Sequence, residues 1–462
     1  MTNDDIAFSD ATTLGQLLRS KRISSVALTK IYLDRLERYG AGLGAVVTIM
    51  RERALREAAQ ADREIARGNF RSPLHGVPFG VKDLLAAKGA PTTWGAQPYR
   101  NQVFDFDGTV VKRLRAAGAV LCVKLAMVEL AGGFGYNDAD ASFTGPGRTP
   151  WNRNFWSGGS SSGPGASVAA GLVGFAIGSE TNGSILVPAA FCGVSGLRPT
   201  YGRVSRHGAM ALMWTSDKLG PMCRSARDTE LVLRTIAGKD AADASSVDAP
   251  FPSPRRRPKI AVVKNATRKV MPAVARNFEN AVGMLRDFCD VTEGFQLPKH
   301  PYGAVFGALF NGECAAAFRD LIESGRSREL RSVDDKLGGY AVYNSLAVDY
   351  VDGQRLRAII DRDVRNALKA YDAVVYPTLP TVAYPVGKPF DKVYTQYPGT
   401  VEFGSPGNLA GVPAMSVPNG FGEDGLPTGL AFISDAWNET KLTDIATGYQ
   451  ARTKFHTLRP KL

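Results

Sequence analysis

The sequence is poor in the side chains from which disulfide, metal and histidine-based sites are built. Only five cysteines and four histidines occur in 462 residues. The cysteines stand far apart, with no Cys-x-x-Cys pair and no cysteine–histidine cluster at the spacing of metal ligands. No histidine has a recognisable acidic partner next to it. We therefore expect reduced, structural thiols and a cytoplasmic protein.

Long apolar runs and nucleotide motifs are also missing. Because no stretch of about 20 apolar residues occurs, the sequence predicts no membrane-spanning helix and no membrane partner. The acidic, polar start MTNDDIAFSD has the wrong chemistry for a secretory signal peptide. The patterns GxxxxGK[ST], GxGxxG after a strand, HExxH and the EF-hand loop are absent. These absences argue against nucleotide-binding, zinc-protease and calcium-binding classes.

The composition that remains is that of a globular protein. Hydrophobic residues make up 44% and charged residues 22% of the chain, and glycine is frequent at 49 residues. The net charge of +12 is spread along the sequence, and its one tight basic cluster, residues 255–259, follows a proline-rich run. We interpret this cluster as a solvated linker and expect no nucleic-acid partner.

The pattern of elements predicts an α/β fold, a single large domain with a mixed central β-sheet flanked by helices. Apolar stripes at helical spacing indicate a helical N-terminal part over 10–70. Short apolar runs alternate with glycine-rich turns over 73–237, and we expect this segment to form the core of the domain. Residues 403–462 have the same character and are expected to complete that core. Between them, about 240–400 reads as an inserted lobe, with strands expected at 260–265 and 373–376 and a helix at 272–287. A small-residue helix is expected at about 166–176.

The serine-rich region allows two catalytic interpretations. The match GSSSG at 159–163 fits a hydrolase elbow with Ser161 as nucleophile, but that elbow needs a preceding strand, and 150–157 reads as a loop. Alternatively, Lys82, flanked by apolar residues, is desolvated and serves two glycine-flanked serine loops as a base. The residues alone also allow a structural interpretation, in which Lys82 pairs with Asp83 and the serines cap helices.

At these residues the sequence resembles the amidase signature family. The family blocks GGSSGG, GxDxGGSI, PA and GLKPT correspond to GGSSSG (158–163), GSETNGSI (178–185), Pro188-Ala189 and GLRPT (196–200). Further similar segments are PLHGVPFGVKD (73–83), PTTWGA (91–96), DGTVVKRLRAAGAV (107–120) and NLAGVPAMSVPNGFGEDGLPTGL (408–430). The resemblance is strong over 73–230 and 405–434 and weak over 240–400.

The resemblance implies a Ser–cis-Ser–Lys triad. Its nucleophile corresponds to Ser184, its bridging serine to Ser160 after a cis Gly159–Ser160 peptide, and its base to Lys82. Lys124, in the segment VKLAMVELA (123–131), is the less favoured base. The implied oxyanion hole is formed by the backbone of Thr181, Asn182 and Gly183, together with Ser184, and Ser161 is a supporting residue. This chemistry gives no role to a metal or organic cofactor.

Departures from the family pattern bear on the substrate. Glu180, Asn182 and Leu186 stand where Asp, Gly and Arg are usual in the family. We expect a substrate pocket from Leu125, Met127, Leu186, Met210 and Trp214.

The expected function is hydrolysis of carboxamides, with aryl-acyl amides or carbamates as further small-molecule substrates, by a monomer or homodimer. The alternative is the glutaminase (A) subunit of the Glu-tRNA(Gln)/Asp-tRNA(Asn) amidotransferase. That subunit usually carries an ARYDG-like segment, and none is found over 306–350.

Overall fold

A computed structural model describes residues 1–253, 257–399 and 403–462 of the chain. Residues 255 and 256 of the basic cluster therefore lie outside the described residues. Within them, fifteen α-helices occur. They are α1 (Asn3–Ala7), α2 (Ala11–Arg19), α3 (Ser25–Tyr39), α4 (Arg51–Ala66), α5 (Thr109–Ala116), α6 (Ser162–Ala169), α7 (Leu186–Cys192), α8 (Ala226–Ile236), α9 (Pro272–Leu285), α10 (Tyr302–Ala317), α11 (Arg319–Glu323), α12 (Val333–Val342), α13 (Ala347–Leu368), α14 (Ser405–Leu409) and α15 (Glu439–Thr453).

The β-strands of the described ranges join in one eleven-stranded sheet. They are β1 (Val46–Ile49), β2 (Pro78–Lys82), β3 (Val120–Leu125), β4 (Phe175–Glu180), β5 (Ser195–Arg198), β6 (Lys218–Cys223), β7 (Lys259–Val263), β8 (Asp290–Phe295), β9 (Ala373–Pro377), β10 (Ala414–Phe421) and β11 (Pro427–Ile433). Their order across the sheet is β1-β3-β2-β4-β6-β5-β10-β11-β9-β7-β8.

The sheet contains two parallel groups joined by antiparallel strands. β2 runs parallel to both β3 and β4, and β7 runs parallel to both β8 and β9. Antiparallel pairings through β6, β5, β10 and β11 connect the two groups. Every residue of β2, β3, β4 and β6 is buried, as expected for strands covered on both faces. The α/β fold with a mixed central sheet is confirmed.

The ends of the N-terminal helices are defined by local capping residues. The Ser24 side chain accepts a hydrogen bond from the Ala27 amide and so caps α3, which ends before Gly40. After α4, Gly68 adopts a φ of +78°, a conformation that favours glycine. Apolar residues of these helices pack against the buried face of the sheet, in the same clusters as β2 and β3.

The small-residue helix is shorter than expected. α6 ends at Ala169 instead of about residue 176, and Gly171 turns the chain with a φ of +62°. The following residues, from Phe175, form β4, because they find hydrogen-bonding partners in β2 and β6. Pairing with strands distant in sequence thus overrides the local helical pattern.

The stretch over 240–400 extends the common sheet. β7, β8 and β9 form its far edge, and β9 pairs antiparallel with β11. Buried residues of α10 and α13 pack with those of β7 and β9 in one cluster. Across the described parts of the chain, no helix combines the length and apolar character that crossing a membrane requires.

Candidate active site

Lys82 lies at the carboxyl end of β2, where the sheet brings three chain segments together. Its Nζ donates hydrogen bonds to the Ser160 Oγ at 2.6 Å and to the Ser179 Oγ at 2.8 Å. Ser179 belongs to β4, the parallel neighbour of β2, and Ser160 belongs to the loop before α6. The Lys82 side chain is completely buried. Carboxyl ends of neighbouring parallel strands are a common location for active sites in α/β proteins.

Asp83 does not pair with Lys82. Its Oδ1 lies 2.8 Å from the Nζ of Lys124, and its Oδ2 accepts a hydrogen bond from the Thr93 amide at 2.9 Å. Lys124 also donates to the Thr92 Oγ1 at 2.7 Å. Among the described carboxylates none forms an ion pair with Lys82. The structure thus distinguishes a paired lysine, Lys124, from Lys82, whose amine hydrogen-bonds to two hydroxyl groups.

This environment favours the neutral amine of Lys82. Burial lowers its pKa from 10.5 to about 7, and the negative charges of Asp217 and Glu180 oppose part of that shift. A lysine with a pKa near neutrality is in large part uncharged at physiological pH, and its lone pair is available to accept a proton.

The loop that carries Ser160 depends on close backbone packing. Gly158 has a φ of +84°, and a Cβ at Gly163 would lie 2.5 Å from the backbone of Ala126. The Gly159–Ser160 peptide is cis, which confirms that prediction. The Val128 amide donates a hydrogen bond of 3.1 Å to the Ser160 carbonyl, so the loop is fixed on this side as well.

Residues 181–184, which we call the oxyanion loop, connect β4 to α7. Ser184 is 8% exposed, and its carbonyl accepts a hydrogen bond of 3.2 Å from the Ser161 amide, which ties the two serine loops together. Gly183 turns the loop with a φ of +86°. Within the described ranges no acceptor pairs with the amides of Asn182, Gly183 and Ser184. Consecutive amides without internal partners are suited to stabilise a negatively charged oxygen.

Glu180 anchors this loop to the core. Its Oε2 accepts hydrogen bonds from the Ile185 and Leu186 amides at the start of α7, at 2.9 and 3.1 Å. Its Oε1 lies 2.9 Å from the Nη1 of Arg198, and both side chains are completely buried. Glutamate at this position therefore has a structural role, while the neighbouring Asn182 is exposed beside Ser405.

Ser161 lies against β4. Its Oγ donates to the Ser179 carbonyl at 3.1 Å and accepts from the Ser179 amide at 3.2 Å. Residues 150–161, all of them described, contain no β-strand that would form a hydrolase elbow. Ser161 thus holds Ser179, which in turn contacts Lys82.

The five expected pocket residues fall in different surroundings. Met210 and Trp214 line a small cavity together with Ser179 and Thr181, and Trp214 is 58% exposed. Leu186 is 6% exposed and packs in an apolar cluster with Met213.

The remaining two, Leu125 and Met127, are fully buried in two separate core clusters. Leu125 lies so close to β2 that a Cβ at Gly80 would meet its side chain at 2.7 Å.

Two residues of the site were missed by the sequence analysis, Ser179 and Asp217. Ser179 stands in the GSETNGSI block, five residues before Ser184, which was the available signal. Asp217 is half-buried and lies 36 residues beyond Thr181, whose Oγ1 donates to its Oδ1 at 2.6 Å. No local pattern marks Asp217, because its partner is distant in sequence.

Comparisons with known proteins match almost the whole chain. The family model named Amidase matches residues 27–443. The A subunit of the glutamyl-tRNA(Gln) amidotransferase from Moorella thermoacetica is 35% identical, with 99% of both chains covered. The structure of a native peptide amidase from Stenotrophomonas maltophilia is 31% identical, with a TM-score of 0.85 over 96% of this chain and 97% of that one. The corresponding amidotransferase chain of Thermotoga maritima is 28% identical, with a TM-score of 0.76 over 94% of each chain.

Proposed function

The chain belongs to the amidase family, and on that premise we propose that it cleaves the C–N bond of a carboxamide through an acyl-enzyme on Ser184. The observation that carries this proposal is the contact of 2.6 Å between the Lys82 Nζ and the Ser160 Oγ. Lys82 is buried and has no carboxylate partner among the described residues, so its amine is available as a base.

In the proposed mechanism, neutral Lys82 accepts the proton of the Ser160 hydroxyl, and Ser160 accepts the proton of Ser184. The Ser184 Oγ attacks the carbonyl carbon, and the oxyanion is stabilised by amides of the oxyanion loop. Collapse of the tetrahedral intermediate breaks the C–N bond, and the proton returns through Ser160 to the leaving amine. Water then hydrolyses the ester of Ser184 by the same proton path in reverse.

For the substrate, we propose an amide or carbamate with apolar or aryl groups, cleaved by the protein without a partner subunit. Met210 and Trp214 offer apolar surface beside Thr181. Two charged residues, Arg206 and Asp217, line the same cavity.

Both charged residues are already engaged within the protein. The Arg206 Nη2 donates to the Tyr201 hydroxyl at 3.1 Å and to the Ser245 Oγ at 2.8 Å. Asp217 accepts three hydrogen bonds. These contacts take up part of the capacity of both groups to pair with the α-amine or α-carboxylate of glutamine, and burying those charges without partners is costly.

The second candidate is a glutaminase subunit that releases ammonia for transfer to misacylated tRNA. It is favoured by the name of the Moorella thermoacetica relative, which is similar over almost the whole chain. The comparisons support this candidate more directly than the free-standing hydrolase. Against it stand Leu186 in place of the usual arginine and the missing ARYDG-like segment.

The test is a panel of anilides, aryl carbamates, primary amides and glutamine, followed by release of amine or ammonia. We expect faster turnover of an anilide or aryl carbamate than of glutamine by the purified chain. A fluorophosphonate should label Ser184, and both labelling and turnover should vanish in Ser184→Ala. Labelling that survives in Ser184→Ala and maps to Ser161 would contradict the mechanism.

A chain that is inert on the panel, yet releases ammonia from glutamine after addition of the tRNA-binding components of the amidotransferase, would establish the second candidate. The matched variant is Ser162→Ala, because Ser162 lies in the same serine run but begins α6. We expect Ser162→Ala to be labelled at Ser184 like the unmodified protein.

A further inference from the structure

Asp217 lies at the junction of two loops of the site. One is the oxyanion loop, and the other, residues 210–216, is here called the cavity loop because Met210 and Trp214 line the small cavity. Asp217 stands between the cavity loop and β6, and its side chain lines the same cavity.

The carboxylate of Asp217 holds both loops. Its Oδ1 accepts the hydrogen bond of 2.6 Å from the Thr181 Oγ1, at the start of the oxyanion loop. Its Oδ2 accepts hydrogen bonds from the Leu212 amide at 2.8 Å and the Met213 amide at 3.0 Å, in the cavity loop. The side chain of Asp217 thus joins the two loops through hydrogen bonds.

The cavity loop has a separate anchor on its other side. The Thr215 amide and hydroxyl donate to the Glu313 carboxylate of α10 at 2.8 and 2.7 Å, and Arg357 of α13 donates to Thr215 as well. Loss of the Asp217 contacts should therefore leave the cavity loop attached to the helices. What is lost is the side-chain link through the Thr181 hydroxyl, whereas the hydrogen bond of 3.1 Å from the Ser216 Oγ to the Thr181 carbonyl remains between the two loops.

We propose that Asp217 is a positioning residue that aligns the oxyanion loop with the acyl group of a substrate seated against the cavity loop. The inference rests on the proposed function, since it assigns the amides of the oxyanion loop to the transition state. Displacement of such donors by about 1 Å costs on the order of a hundredfold in rate.

Asp217 also acts on the charge state of the base. Its negative charge and that of Glu180 raise the pKa of Lys82, whereas burial lowers it. In the described ranges the Lys82 amine itself hydrogen-bonds to the hydroxyls of Ser160 and Ser179, and the two carboxylates act on it through their charge. Because Lys82 must be neutral to accept a proton, removal of the Asp217 charge should move the rise of activity to lower pH.

The test uses two variants of the full-length chain and the rate of Ser184 labelling by a fluorophosphonate. Thr181→Val deletes only the hydroxyl that binds Asp217. We expect it to lower the second-order labelling rate about ten- to a hundredfold with little change in Tm. Asp217→Asn should lower the rate and shift the acidic limb of its pH profile to lower pH.

The chain contains a closely matched control, Asp228 at the start of α8. This buried carboxylate likewise accepts two backbone amides, from Ala11 and Thr12, and the Thr12 hydroxyl, at 2.5, 3.1 and 2.6 Å. It lies outside the site, so Thr12→Val and Asp228→Asn should leave the labelling rate within about twofold and the pH limb unchanged.

Wild-type labelling rates in Thr181→Val, or equal pH shifts in Asp217→Asn and Asp228→Asn, would overturn the inference. If Asp217→Asn does not fold, the labelling rate of Thr181→Val alone tests the inference. Absence of labelling at Ser184 in the unmodified protein is a different outcome, and it would refute the proposed function itself.

Discussion

Replacement of Lys82 by methionine is expected to abolish activity and yet to stabilise the fold at neutral pH. Methionine has a similar length and no charge, so it occupies the buried site without requiring a counter-ion. The lysine pKa falls from 10.5 to about 7 on folding, which means that the charged form is disfavoured in the native state. Below pH 7 the wild-type protein must bury that charge in the absence of a carboxylate partner.

The size of this stability effect follows from the shift of the Lys82 pKa. Between pH 7 and 10.5 the unfolded chain binds more protons at Lys82 than the folded chain, so wild-type stability rises with pH in this window. One pKa unit corresponds to about 1.36 kcal/mol. The lowered pKa of Lys82 therefore reduces the free energy of unfolding by on the order of 4 kcal/mol at pH 7 and by about 1 kcal/mol at pH 10. The loss of hydrogen bonds to Ser160 and Ser179 does not depend on pH in this range. The stability of Lys82→Met relative to wild type should therefore decline by roughly 3 kcal/mol from pH 7 to pH 10.

Denaturant or thermal unfolding at pH 7, 8.5 and 10 measures this difference, and turnover of the panel substrate measures the activity. We expect Lys82→Met to lower kcat/KM at least about a hundredfold at every pH. The control is Lys124→Met, which leaves the buried carboxylate of Asp83 without its partner and should destabilise the protein at pH 7. A stability difference for Lys82→Met that is independent of pH would refute the argument that a desolvated, unpaired lysine is the base.

Further predictions concern hydroxyl groups and glycines of the site. Ser160→Ala should lower kcat at least about a hundredfold, whereas Ser179→Ala should cost less than about tenfold, because the contact between Lys82 and Ser160 remains; equal losses in the two variants would contradict a relay through Ser160. Gly163→Ala should cost roughly 3 kcal/mol or more in the free energy of unfolding, because its Cβ would meet backbone at 2.5 Å. Gly283→Ala in α9 is the control, since its Cβ meets no atom within 4 Å, and it should stabilise the fold by about 0.5–1 kcal/mol.

Much of the site could be predicted from the sequence because its loops depend on backbone geometry. Gly158 and Gly183 adopt positive φ, and Gly163 lies against backbone, so these positions require glycine and leave a readable pattern. The serines of the same blocks then fall at fixed places on that backbone. Helix boundaries also carry local signals, as the Ser24 side chain that caps α3 illustrates.

The features that were missed depend on contacts between distant segments. Leu125 and Met127 were assigned to a pocket, but a buried strand residue and a pocket residue have the same apolar character in sequence. Asp217 and Thr181 meet because β4 and β6 pair, and the early end of α6 has the same origin in sheet pairing. Periodicity along the chain carries no information about such pairings.

The distribution of buried ion pairs explains why Lys82, rather than Lys124, is suited to be the base. Lys124 has Asp83, and Arg198 has Glu180, so the two carboxylates adjacent to Lys82 and Ser179 in sequence are each engaged by another cation. Had Asp83 paired with Lys82 instead, Coulomb attraction would have raised the lysine pKa and kept the amine protonated. The ion pairs described in the surrounding core therefore leave Lys82 without a counter-ion, at the place where two serine loops meet. Burial of this lysine lowers the stability of the fold at neutral pH, and the same burial lowers its pKa and so makes its amine available to accept a proton.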